Sequence, residues 1–150
     1  KSKSLGEVES KNFYNIRCSI IGKEIKNHKS LIDWFLSNKK KSSINGFSNH
    51  LWNGVTTRYF AKILYTLVVS KLIIPNLIHI VPKNKVTKYE LLKLLSKKYK
   101  RNDLIIFKAR TKYRVDRSLS TIHKKYLLKL NKLMGYSDTP SVSEIIKNFL

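Results

Sequence analysis

The sequence predicts an α+β fold that is mainly helical, on three observations. Apolar residues recur at helical spacing in the stretches 31–38, 57–70, 88–99 and 120–134. Residues suited to capping a helix N-terminus stand at Ser30, at Thr56 or Thr57, at Thr87 and, ahead of a last short segment, at Ser141. Only short β-rich runs lie between them, at 13–21, 72–74, 77–81 and 104–107.

In chain order, the polar stretch 1–11 reads as a loose lead-in and 13–21 as a strand. Ser30 with Asp33 three residues on has the capping-box spacing, Asp standing in for Glu, and Leu31, Trp34 and Phe35 form the apolar stripe of a helix that stops near Asn38. Lys39-Lys40-Lys41-Ser42-Ser43 reads as a basic connection, and 48–53 as a short helix closed by Gly54. In the longer helix that follows, to about Ser70, the helical period puts Phe60, Ile63, Leu64 and Leu67 on one face, expected against Trp34 and Phe35. Arg58, Lys62 and Tyr65 fall opposite, with Val69 close to them.

Pro75-Asn76 marks a turn between the β-rich runs 72–74 and 77–81. Thr87 and Glu90 form a capping box before a Lys-rich helix that carries Leu91, Leu92, Leu94, Leu95 and Tyr99. After the strand at 104–107, Lys108, Arg110, Lys112 and Arg114 recur at every second position. An extended chain would set all four on one face within about 20 Å. A helix over 120–134 ends at Gly135, and Ser141 with Glu144 caps the last one.

The chain has 31 Lys+Arg against 9 Asp+Glu, a net charge of +22, and is 42% hydrophobic. The apolar residues come in periodic runs, which excludes disorder and predicts one compact domain, or one with a small appendage. The excess of cations predicts a polyanionic partner: nucleic acid, an anionic membrane or an acidic protein face. A single cysteine, Cys18, excludes an internal disulfide framework and a Cys-rich zinc site, and suits a reducing compartment. The most apolar stretch, 59–81, is broken by Lys62, Lys71, Pro75 and His79, which excludes a transmembrane helix there. A chain opening on Lys1 is expected to be a segment of a longer protein.

The stretch Thr57-Arg58-Tyr59-Phe60-Ala61-Lys62-Ile63-Leu64 through Ser70-Lys71-Leu72-Ile73 resembles the third helix and first wing strand of the winged-helix superfamily. The resemblance covers about 13–115 and implies a winged helix-turn-helix with a C-terminal helical extension, divided at 1–117 and 118–150. More narrowly, the stretch is similar to the winged helix of RecQ-type helicases and to the chromatin-binding region of fungal meiotic chromosome-axis proteins of the HORMA family. The second implies a C-terminal helix-turn-helix, which 120–150 would supply, and a zinc finger that a chain with one cysteine does not contain.

Catalysis finds little support. No carboxylate stands between Asp33 and Glu90, so a paired acid–base site would have to be assembled from distant residues. Glu24-Ile25-Lys26 has the E-x-K spacing of many nucleases but no preceding Asp to complete a metal site. His28, His50, His79 and His123 are scattered without metal-ligand spacing. Trp34 and Trp52 read as core residues.

These observations together predict a non-enzymatic DNA- or chromatin-binding module in the nucleus, engaging duplex DNA or a nucleosome with no cofactor and no metal. The expected contacts are the loop lysines Lys39, Lys40 and Lys41, the helix face Arg58, Lys62 and Tyr65, and the strand face Lys108, Arg110, Lys112 and Arg114. The alternatives are an RNA-binding or ribosome-associated protein, and a winged-helix module docking on an acidic protein or membrane surface.

Overall fold

Strands far apart in the sequence pair in parallel, and this organises the chain. The computed structural model describes residues 4–150. Strand β1 (Asn15–Arg17) lies parallel to β6 (Leu77–His79), β2 (Ile20–Ile21) to β5 (Val55–Thr56), and β3 (Ser43–Phe47) to β8 (Ile105–Ala109). A three-stranded sheet has β4 (His50–Trp52) at its centre, antiparallel to β7 (Val86–Thr87) and parallel to β9 (Val115–Asp116). Parallel neighbours cannot be joined by a hairpin and need crossover connections. Helices α1 (Leu31–Ser37), α2 (Thr57–Ser70) and α3 (Lys88–Lys98) lie in those crossovers, and α4 (Lys124–Leu133) and α5 (Val142–Phe149) close the chain.

The helices start where their caps are. Ser30, Thr56, Thr87 and Ser141 each accept a hydrogen bond from the backbone three residues on, and Thr87–Glu90 and Ser141–Glu144 are reciprocal capping boxes. The longest parallel pair shows why its sequence was hard to read. In β3 only Ile44 and Gly46 are buried, and in β8 Ile105 and Phe107 stay exposed while Ile106 turns inward. Gly46 lets α3 lie directly on the strand, since a Cβ there would come 2.8 Å from Tyr89 Cα.

Two apolar clusters form. One holds Ile32, Phe35, Leu92 and Leu95 with the inward side of β3 and β8. The other holds Tyr59, Ile63, Ile78, Leu130 and Ile145, so that α2, α4 and α5 share one interior. Helix α5 serves both, with Ile146 in the first and Ile145 in the second.

This α/β arrangement corrects the mainly helical winged helix-turn-helix with a helical extension. Residues 48–53 are not a helix: they form a turn and then β4, which is paired on both edges. Residues 72–74 form no strand, and Leu77–His79 pairs in parallel with β1, so these residues do not form a wing hairpin. The run 13–21 divides into β1 and β2, and α4 begins at Lys124. Trp34 is 39% exposed, not core, and Ile63 and Phe35 belong to different clusters. Of the expected α2 face, Ile63 and Leu67 are buried and Phe60 and Leu64 half-buried, with Tyr59 the third buried side chain. The errors in the strands and the wing have one physical cause: local pattern cannot report a partner strand many residues away.

Candidate functional site

In open α/β sheets, ligands bind in the crevice beyond the carboxyl ends of the parallel strands. Strand β6 ends at His79, passes through buried Ile80, Val81 and Pro82, and leaves as the exposed loop Lys83-Asn84-Lys85. A cavity of about 600 Å³ opens at this point. Its apolar lining comes from Val81, Pro82, Leu119, Leu127 and Leu128, and its polar lining includes Asn53, Ser120, Thr121 and the lysines Lys83, Lys85, Lys124 and Lys125. An apolar body with a few polar groups at this volume is the usual make-up of a small-molecule site.

The walls are fixed by hydrogen bonds between distant segments. Buried Asn53 donates through Nδ2 to Leu119 O at 2.7 Å and accepts from Leu119 N at 2.8 Å. His79 Nδ1 lies 2.7 Å from Ser120 O. Lys83 N–H donates to Pro140 O at 3.0 Å, and Asn84 Oδ1 accepts from Val142 N at 2.9 Å. The loop after β6 is thereby tied to the start of α5.

The cavity is electropositive. Its one carboxylate, Asp138, is engaged by Lys83 at 2.6 Å, and that hydrogen bond holds the Asp138 carboxyl below the usual range. Lys85 reaches Asp116 at 3.5 Å. Lys124 and Lys125 make no ion pair among the described residues, and they stand on the first turn of α4. The N-cap of that helix, His123, supplies no side-chain capping bond. An uncapped first turn presents N–H groups and the positive end of the helix dipole. An anion with an apolar body is the complementary ligand.

The residues singled out in the sequence do not converge. Lys39, Lys40 and Lys41 are exposed just before β3, at its amino end, with Lys41 at φ 58°. Arg110, Lys112 and Arg114 follow the carboxyl end of β8, about 13 Å away along the strands. Strand β8 stops at Ala109, so the four basic residues do not alternate on one extended face. Beyond Ala109 the loop is shaped by Asn49, whose Nδ2 donates to Thr111 O at 2.8 Å and Tyr113 O at 3.0 Å. Lys108 is exposed on β8, and Arg114 lies 3.7 Å from Asp116. Arg58, Lys62 and Tyr65 are exposed on α2, where Lys62 Nζ sits 5.6 Å from the Phe149 ring centroid.

The cavity lysines carry no sequence signal of their own in a chain with 31 Lys+Arg. The parallel pairing of β6 and the Asn53–Leu119 and His79–Ser120 bonds bring them together. Among the described residues, no three His, Cys, Asp or Glu side chains are grouped to hold a metal ion.

No protein-family model matches the sequence. No curated protein matches it significantly. Solved structures do match in fold. The dTDP-4-dehydrorhamnose reductase of Clostridium acetobutylicum superposes with a TM-score of 0.58 at 13% identity, over 91% of this chain and 47% of that one. The Bacillus anthracis enzyme, solved in complex with NADP, gives 0.58 at 16% identity, over 89% and 46%. The Yersinia enterocolitica enzyme gives 0.52 at 13% identity, over 90% and 49%. The chain thus spans about half the length of these reductases.

Their fold overturns the winged-helix resemblance, with its RecQ-type and HORMA-family relatives. The non-enzymatic DNA- or chromatin-binding reading was built on that resemblance and falls with it, as do its meiotic association and its RNA-binding and surface-docking alternatives. The three superposed structures are reductases of about twice this length, not winged helices. Dinucleotide-binding folds of this kind hold the pyrophosphate at a glycine-rich strand-to-helix turn, G-x-G-x-x-G in the common fingerprint. The five glycines here, Gly6, Gly22, Gly46, Gly54 and Gly135, never take that spacing. The residues of this chain do not fit such a cofactor. What this chain shares with the reductases is a Rossmann-like α/β architecture.

Proposed function

We propose that this chain binds an anionic sugar nucleotide, of the nucleoside-diphosphate-sugar class, as the ligand-holding part of a nucleotide-sugar-modifying protein. The observation that carries the reading is the cavity beyond the carboxyl end of β6, with four lysines at its edge and one carboxylate already paired. The apolar lining of Leu119, Leu127 and Leu128 covers the flat parts of the ligand. The diphosphate meets Lys124 and Lys125 at the uncapped first turn of α4, where ammonium groups and backbone N–H groups act together. The fold likeness to the dTDP-4-dehydrorhamnose reductases supports the ligand class. No hydride step is assigned to these residues.

Isothermal titration calorimetry with dTDP-glucose tests the reading. Saturable binding is expected, with free glucose and thymidine at least about tenfold weaker, because each lacks the diphosphate. The double variant Lys124→Ala/Lys125→Ala should weaken dTDP-glucose by about tenfold or more while leaving the fold intact by circular dichroism. Unchanged affinity in that variant, or equal binding of thymidine, would refute it.

A further inference from the structure

A second cavity, of about 420 Å³, shares no lining residue with the first. Ile21, Leu31 and Leu91 give it an apolar floor, and Phe47, His50 and Trp52 give it aromatic walls. Each wall is held in place. Trp52 Nε1 donates to Ser19 Oγ at 2.6 Å, and its ring edge occupies the space that a Cβ on Gly54 would take. His50 Nε2 lies 2.9 Å from Thr111 Oγ1, and its ring packs on Phe47 at 4.7 Å between centroids. Aromatic faces fixed in this way stack on a planar ligand with little loss of side-chain freedom.

Two cations stand beside these rings, and no carboxylate lines the cavity. Lys88 Nζ lies 5.6 Å from the Phe47 centroid and 5.5 Å from that of Trp34. Arg117 is exposed, with its backbone N–H bonded to Leu51 O at 3.0 Å. Neither Lys88 nor Arg117 makes an ion pair among the described residues. The nearby acids are occupied elsewhere: Glu90 caps α3 and Asp116 bonds Ser118. Both positive charges therefore remain available to a ligand.

We infer that this cavity is a separate binding site for a nucleoside 5′-phosphate, with the base against the Phe47, His50 and Trp52 rings and the phosphate on Lys88 and Arg117. The walls select a planar aromatic body, and the cations select an anion attached to it. The site goes beyond the sugar-nucleotide reading and stands without it.

The chain has two tryptophans, so Trp34→Phe leaves Trp52, which lines the cavity, as the sole tryptophan reporter. In that background, AMP should quench the emission saturably. Adenosine and inorganic phosphate should each be at least about tenfold weaker. Lys88→Met, which keeps an aliphatic stem over the rings, and Arg117→Ala should each weaken AMP several-fold and together about tenfold or more. Circular dichroism confirms that the variants are folded. Lys124→Ala/Lys125→Ala should leave the AMP response unchanged, which separates this site from the first cavity whether or not that cavity binds a sugar nucleotide. The inference is overturned by no saturable quenching, by adenosine binding as well as AMP, by benzoate binding as tightly as AMP, or by loss of the response in the Lys124/Lys125 variant.

Discussion

The Tyr59 hydroxyl donates to Asn131 Oδ1 across 2.6 Å, joining α2 to α4 between two residues that are almost wholly buried. The same Asn131 amide donates to Leu127 O at 2.8 Å, so both ends of the side chain are used. The Tyr59 ring also meets Phe149 edge-on at 5.3 Å, bringing α5 to the same point. Tyr59→Phe removes the donor and leaves a buried carbonyl oxygen without it. A loss of about 1–3 kcal/mol is expected in urea unfolding. Adding Asn131→Leu should restore part of that loss, because an orphaned polar atom costs more than an absent pair.

Burial also pushes the Tyr59 phenol well above its ordinary value of 10.0. The unfolded chain therefore releases this proton at a lower pH than the folded one. The contribution is fully present below pH 10.0 and is lost as pH rises from there toward the folded value. Wild type minus Tyr59→Phe stability, measured between pH 8 and 11, should be flat at first and then fall. A difference that rises with pH would contradict the burial of this group.

Gly54→Ala tests the wall of the second cavity. A Cβ there would lie 2.1 Å from Trp52 Cζ2 and 2.4 Å from Ser19 O, neither of which is the far end of a flexible chain. A loss of about 1–3 kcal/mol is expected from overpacking. The Trp52 emission maximum should shift as the ring is displaced, and an unchanged spectrum with unchanged stability would count against the geometry.

Arg101 fastens the end of α1 to the start of β8. Its guanidinium donates to Leu36 O at 2.7 Å and Asn38 O at 2.8 Å while forking onto Asp103 at 2.9 and 3.0 Å. Those hydrogen bonds hold the Asp103 carboxyl below its ordinary 3.8. Its share of stability is present above pH 3.8 and is lost as pH falls through the folded value. Asp103→Asn should flatten the acid limb of the melting temperature, and Arg101→Lys, which loses the fork, should lower the melting temperature at pH 7.

The helices were legible because their signals are local. Ser30, Thr87 and Ser141 each stand within three residues of the group they serve, and all three cap a helix. Ile63 and Leu67 follow the helical period and are buried. Tyr59 escaped notice because its partner lies 72 residues away. The runs 13–21, 77–81 and 104–107 do hold β1, β2, β6 and the start of β8. Strands β3, β4, β5, β7 and β9 escaped, four of them with only two or three residues, too few to show alternation. The cavity was illegible for the same reason: Asn53 and Leu119 are 66 residues apart. Charge drew attention to Lys39, Arg58 and Lys108, yet charge is spread through the whole sequence and cannot locate a crevice.

The pairing of β3 with β8 has a kinetic consequence. Ser48 meets Ala109 across 61 residues, and β1 must wait for β6 before either has a neighbour. Little of this sheet can form from segments close in sequence, so large loops must close before their contacts reward the closure. Refolding on the millisecond-to-second scale follows, far slower than the microseconds open to a small helical bundle. During that interval Ile105 and Phe107, exposed even in the finished strand, sit on an unpaired edge. Dilute refolding should therefore succeed where concentrated refolding precipitates.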